Sequence, residues 1–191
     1  MCIRDRNKAI YEHAVYKKVD EAIEILWDAI AITHTNDKVW TEREIELLIT
    51  IGSIYTEEDR KQEAIDVFQK VLDSLDQLVF ISDNTIMPRL YYNLARVYGK
   101  LENYEKSIYY CKKGIKHCLL KDNLYPLGEL HYQISYNYEQ IGQIETALSY
   151  IDKAKIIFEL IEDRNYLPMM REGRIKLLQA IEQQKETDHV M

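Results

Sequence analysis

Apolar residues recur at three- and four-residue spacing through most of the chain, in AIEILWDAIAI, ELLITIGSIY, AIDVFQKVLDSL, LYYNLARVY, SIYYCKKGI, LHYQISYNY, ALSYIDKAKIIFELI and IKLLQAI. That spacing puts them on one face of a helix, and short polar turns separate the segments. Alternating valine-rich runs are missing, and six glycines and three prolines are too few to punctuate a β-protein. The pattern predicts an all-α chain of about nine helices.

The helices repeat. Residues 48 to 71, 91 to 114 and 131 to 154 superimpose on one template without a gap. In the first copy Leu48, Ile51, Gly52 and Tyr55 are followed by Ala64, Phe68 and Val71. The second has Tyr91, Leu94, Ala95 and Tyr98, then Ser107, Cys111 and Gly114. The third has His131, Ile134, Ser135 and Tyr138, then Ala147, Ile151 and Ala154. A fainter copy lies upstream, with Ala22, Leu26 and Ala29 at second-helix positions and His13 in the tyrosine's place.

A helical hairpin accounts for the template. Gly52, Ala95 and Ser135 are placed to face Ala64, Ser107 and Ala147, where only small side chains let two helices cross closely. Val71, Gly114 and Ala154 are placed to do the same between one hairpin and the next. Tyr55, Tyr98 and Tyr138 are expected to fill space between helices while their hydroxyls stay wet. Tyr104 is expected to pack and Tyr91 to lie at a hairpin interface, whereas the pattern does not decide between packing and exposure for Tyr109 and Tyr110.

The combination of an aromatic, a Leu, a small residue and a Tyr, followed by a small residue, an apolar residue four on and a further small one, resembles the tetratricopeptide repeat. The resemblance covers residues 7 to 163. Its copies are spaced 42, 43 and 40 residues apart, from Ala22 to Ala64 and from Leu48 to Tyr91 to His131, longer than the ~34 residues of the standard unit. The usual closing proline is absent, and the extra residues lengthen second helices and connections, as in VFQKVLDSLDQLVFISDNTIMP. Such elongated, tyrosine-rich repeats are similar to those of the peptide-sensing Rap, Rgg, NprR and PlcR superfamily. YYNLARVYGKLENYEKSIYYCKKGIKHC, LGELHYQISYNYEQIGQIETALSYIDKA and FELIED most resemble the PlcR-like bacterial transcriptional regulators.

The resemblance implies a right-handed superhelix of about four tetratricopeptide-like hairpins closed by a C-terminal capping helix. It also implies an N-terminal helix-turn-helix domain, not found in this sequence, and a short signalling peptide bound in the concave groove. On that reading residues 1 to 6, MCIRDR, fit neither the helical pattern nor a signal peptide and are a scar of truncation or cloning. Residues 7 to 163 form the repeat domain, 164 to 186 the capping helix and 187 to 191 a tail. Binding to DNA would run only through the missing domain, and an operator with two half-sites implies a homodimer.

In the family's geometry the first helices line the groove. The groove positions are Glu46, Ile49, Thr50, Ser53 and Thr56 in one copy, Arg89, Tyr92, Asn93, Arg96 and Gly99 in the next, and Glu129, Tyr132, Gln133, Tyr136 and Glu139 in the last. Asn93 and Gln133 can donate to and accept from a peptide backbone, and Arg89 and Arg96 can pair a carboxylate. Tyr92, Tyr132 and Tyr136 can flank apolar side chains. These seven are the expected peptide-binding residues.

Charge and chemistry narrow the alternatives. A formal net charge of −7 disfavours direct binding to nucleic acid or an anionic membrane. No apolar run spans a bilayer and no signal peptide is evident, so the chain is expected to be cytoplasmic. Cys2, Cys111 and Cys118 have no CxxC spacing and are expected to be reduced filler. His13, His34, His117, His131 and His189 form no HExxH pair, and no glycine-rich phosphate loop occurs. No catalytic residue, metal or cofactor is expected. A generic repeat scaffold for protein assembly and a fragment of a Rap-like phosphatase are the alternative readings.

Overall fold

The structure is a computed structural model that describes residues 2–34, 39–75 and 81–190. Its described helices are α1 Cys2–Tyr16, α2 Val19–Thr33, α3 Glu42–Glu57, α4 Lys61–Leu75, α5 Ile86–Lys100, α6 Tyr104–Leu120, α7 Leu127–Gln140, α8 Ile144–Leu160 and α9 Leu167–Val190. Among the described residues there is no strand. The chain is all-α and built from tetratricopeptide-like hairpins, and it divides into two compact units, Met1–Ile86 and Met87–Met191.

Two sequence boundaries shift. The helix α1 begins at Cys2, so residues 2 to 6 continue the helical pattern they were expected to break, and Arg6 Nε donates to Thr50 Oγ1 at 3.1 Å. At the other end α9 runs on to Val190, through most of the segment read as a tail. Residues 76 to 80 of the lengthened connection lie outside the described residues.

Each hairpin turn uses one left-handed residue in the same template column. Asp59, Glu102 and Gly142 have φ of 60°, 59° and 78°. This conformation turns the chain back so that a later N–H reaches the carbonyl of the template tyrosine: Arg60 to Tyr55 at 2.8 Å, Asn103 to Tyr98 at 3.0 Å and Gln143 to Tyr138 at 2.9 Å. The start of α3 is fixed by a capping box in which Thr41 and Glu44 satisfy one another's backbone N–H groups. Asn103 caps α6 by accepting from the Lys106 N–H at 3.1 Å.

Within the first unit, α1 packs on α2, α3 on α4, and α1 also meets α3. Its core joins Ala22, Leu26, Leu48, Ile51, Phe68 and Val71, all fully buried. The small residue Gly52 makes room for a ring more than for a facing backbone: a Cβ there would lie 2.4 Å from Phe68 Cε1.

In the second unit the small-residue crossings close as expected, and hydroxyls fasten them. Ser107 Oγ donates to the Ala95 carbonyl at 2.7 Å, and Ser135 Oγ to the Ala147 carbonyl at 2.8 Å. Gly114 admits the next hairpin, since a Cβ there would meet Leu130 at 2.8 Å. Stacked rings bind first helix to second: Tyr98 on Tyr110 at 5.5 Å and Tyr138 on Tyr150 at 5.6 Å between centroids. Tyr91 stacks on Tyr110 at 6.3 Å, as a hairpin-interface residue should. Tyr110 is thereby a packing residue, Tyr109 is half exposed, and Tyr104 is only partly covered. The helix α9 closes this unit by adding Met170 and Leu177 to the core of Ile144, Ile151, Ala154 and Phe158.

Candidate functional site

The expected groove positions differ sharply between the two units. On α3, Glu46, Ile49, Thr50 and Thr56 are all buried, so this face does not form an open wall. Local contacts supply part of the cover: α1 lies against α3, Arg6 bonds Thr50, and Arg43 Nη1 pairs with Glu46 Oε2 at 3.0 Å. Thr50 and Thr56 turn their hydroxyls onto the carbonyls of Glu46 and Gly52, each at 2.8 Å, a use common to buried threonines on helices.

On α5 and α7 of the second unit, most of the corresponding side chains reach solvent. Arg89, Tyr92 and Arg96 on α5 are half-buried, as are Tyr132 and Gln133 on α7, while Tyr136 is 40% exposed. Asn93 is nearly covered, at 7% exposed, and its Nδ2 donates to the Arg89 carbonyl at 3.0 Å. Its second N–H remains beyond that bond. The Arg96 guanidinium lies 5.7 Å from the centre of the Tyr92 ring. Burial pushes the Tyr92 hydroxyl up to about 12, with Arg96 opposing and Glu129 adding to the shift, so this phenol stays protonated. Tyr132 is raised too, again chiefly by burial and then by Glu139 and Tyr136. Arg89 and Arg96 both make further interactions within the chain.

The carboxamide of Gln133 ties this face to the interior. Gln133 Nε2 donates to Asn137 Oδ1 at 3.2 Å, Asn137 Nδ2 donates to Ser107 Oγ at 2.7 Å, and Ser107 donates in turn to Ala95. Gly99 leaves the space for it, because a Cβ there would lie 2.9 Å from Gln133 Nε2 and 3.4 Å from Asn137 Oδ1. Hence α5 and α7 run side by side at this level. Asn137, fully buried, escaped the sequence reading. Its signal was present, since the same template column holds Ile54 and Val97, both buried apolar residues.

A second neighbour missed in the sequence is α9, whose Lys176 Nζ lies 2.6 Å from Glu139 Oε1, next to Tyr132 and Tyr136. Glu129, also on α7, has its carboxyl raised by burial and then by Asp163, against a lowering backbone hydrogen bond.

Cys111 and Cys118 are buried and free, and burial raises both thiols, Cys118 to about 11, away from the thiolate range. Among the described residues no three His, Cys, Asp or Glu side chains stand close enough to hold a metal, and no helix is long and apolar enough to cross a membrane.

The RNPP family C-terminal domain matches residues 9–179. The chain belongs to the RNPP family. Solved structures agree in fold: Bacillus thuringiensis PlcR in complex with the peptide PapR7 and DNA aligns with a TM-score of 0.72 at 22% identity, covering 83% of this chain and 56% of that one. The apo form of the same regulator gives 0.72 at 21% identity, covering 88% and 63%. Aspartyl phosphate phosphatase F from Bacillus subtilis gives 0.75 at 15% identity, covering 97% and 47%. The RNPP domain described here therefore spans about half to two thirds of the length of these relatives. None of the curated proteins matches it.

Proposed function

We propose that this RNPP domain is the sensor of a quorum-sensing-type transcriptional regulator, binding a short signalling peptide across α5 and α7. Membership of a family of regulators supports a peptide-responsive role. The observation that carries the reading is the side-by-side placement of α5 and α7, which sets amides, guanidiniums and three tyrosines on neighbouring helices. Asn93 and Gln133 hydrogen-bond an extended peptide backbone of roughly five to eight residues, and Tyr92, Tyr132 and Tyr136 bracket its apolar side chains. Arg96, with Arg89 behind it, meets an acidic group. Such a peptide touching both helices alters the crossing through Gln133, Asn137 and Ser107. That gives a route to the dimeric, DNA-binding state of an N-terminal domain.

Calorimetry with a panel of synthetic peptides of about five to eight residues, each carrying an acidic group and apolar side chains, tests this. Asn93→Ala should weaken binding by ~1 to 3 kcal/mol, since peptide groups lose their partner. Arg96→Glu should cost more and make the residual binding less sensitive to salt. Unchanged affinity in both variants would remove the site from this face and leave a repeat scaffold.

A further inference from the structure

The second helices of the same unit carry another opening. Between α6 and α8 lies a groove of about 410 Å³ with a mainly apolar lining that includes Ile115 and Tyr150, and His131 of α7 lines it too. Leu119 and Leu120 stand at its edge, 63% and 70% exposed. Adjacent leucines left in water forgo the stabilisation that burial under a partner would supply.

Charge gives the groove a preference. Lys112 and Lys116 sit one turn apart on α6 and Lys153 faces them from α8, above the Tyr150 ring at 4.5 Å. Like charges four residues apart on a helix repel, and among the described residues neither Lys112 nor Lys116 makes an ion pair. In a chain of net charge −7 this local excess of cations runs against the whole. Cations on both sides of an apolar floor fit a stripe of apolar side chains flanked by carboxylates. A small ligand needs a site that encloses most of its surface, whereas this groove is open along α6 and α8.

We propose that the groove between α6 and α8 docks an acidic amphipathic helix of a partner protein. Its apolar face rests on Leu119, Leu120 and Tyr150, and its flanking carboxylates meet Lys112, Lys116 and Lys153. This surface is separate from the peptide face on α5 and α7 and stands whether or not that face binds a peptide.

The probe is a labelled synthetic helix of about five turns with a leucine stripe flanked by glutamates, compared with the same helix flanked by lysines. The glutamate helix should bind at least about tenfold tighter, a preference that fades with salt. Amide shifts in its complex should centre on residues 116 to 120 and 150 to 153. The exposed double variant Lys112→Glu with Lys116→Glu should reverse the preference, and Leu119→Ser should weaken both helices, with thermal melts confirming that each variant is folded. Equal affinity for the two helices, no binding, or shifts confined to α5 and α7 overturns the proposal. So does displacement of the helix by dodecanoate or by anionic vesicles, which would assign the groove to an amphiphile or a lipid surface.

Discussion

Asn137 donates to the Ser107 hydroxyl at 2.7 Å, and each is the polar exception in its own template column. Asn137 replaces the buried Ile54 and Val97, while Ser107 replaces Ala64 and Ala147. Two departures from an apolar consensus thus answer one another across adjacent hairpins. A buried carboxamide without partners would be costly, whereas one that donates to Ser107 and accepts from Gln133 fixes the register of α6 against α7.

The pair should show strong coupling in a double-mutant cycle. Asn137→Val alone leaves Gln133 without its acceptor and should cost ~1 to 3 kcal/mol of unfolding free energy. Restoring both columns, with Asn137→Val and Ser107→Ala together, should cost less than the sum of the single changes, by about 0.5 kcal/mol or more. Strict additivity in urea denaturation would show that the two do not act as a unit.

Glu102 occupies the left-handed turn position that its counterpart Gly142 fills without strain. Glu102→Gly relieves the Cβ clash of that conformation while adding freedom to the unfolded chain, so the net gain should be at most about 1 kcal/mol. The melting temperature should rise by about 2 to 4 °C. Gly142→Ala should move it the other way.

The sequence carried the hairpins, the crossings and the template tyrosines because each is a periodic demand repeated in three copies. It did not show that α1 packs on α3 with Arg6 bonded to Thr50, because residues 1 to 6 were read as lying outside the repeats. Nor did it show how deeply Asn93 sits: a residue's column gives its direction, while the depth of its cover depends on long side chains from neighbouring helices. Lys176 was invisible for the same reason, since the closing helix belongs to no repeat.

His131 offers a measurable pH dependence. Burial, and next Lys153, push its imidazole down to about 4 from 6.5. The unfolded chain takes up this proton near pH 6.5 and the folded ring resists until about pH 4, so stability is full above that window and declines as pH falls through it. The ring keeps some contact with solvent, which limits the loss to about 1 to 2 kcal/mol. His131→Tyr, the residue that the matching column carries in Tyr91, should remove this share of the decline. Identical pH profiles of chemical denaturation for wild type and variant would refute the assignment.

The closing helix separates stability from binding. Leu177 is 1% exposed in the core of the second unit, whereas Lys176 beside it is largely solvated and holds Glu139 on the proposed peptide face. Leu177→Ala removes buried methyl groups and should cost ~2 to 4 kcal/mol. Lys176→Ala removes only an exposed ion pair and should change stability by less than about 1 kcal/mol. Its effect should instead appear in affinity. Without Lys176 the Glu139 carboxylate stands unneutralised beside Tyr132 and Tyr136, and an acidic peptide should then bind several-fold more weakly at low salt, about 1 kcal/mol, with the difference shrinking as salt is raised. Denaturation and calorimetry on the same two variants check both halves. A large stability loss in Lys176→Ala would mean that the ion pair holds α9 in place, and an unchanged affinity would place the peptide's acidic group away from Glu139.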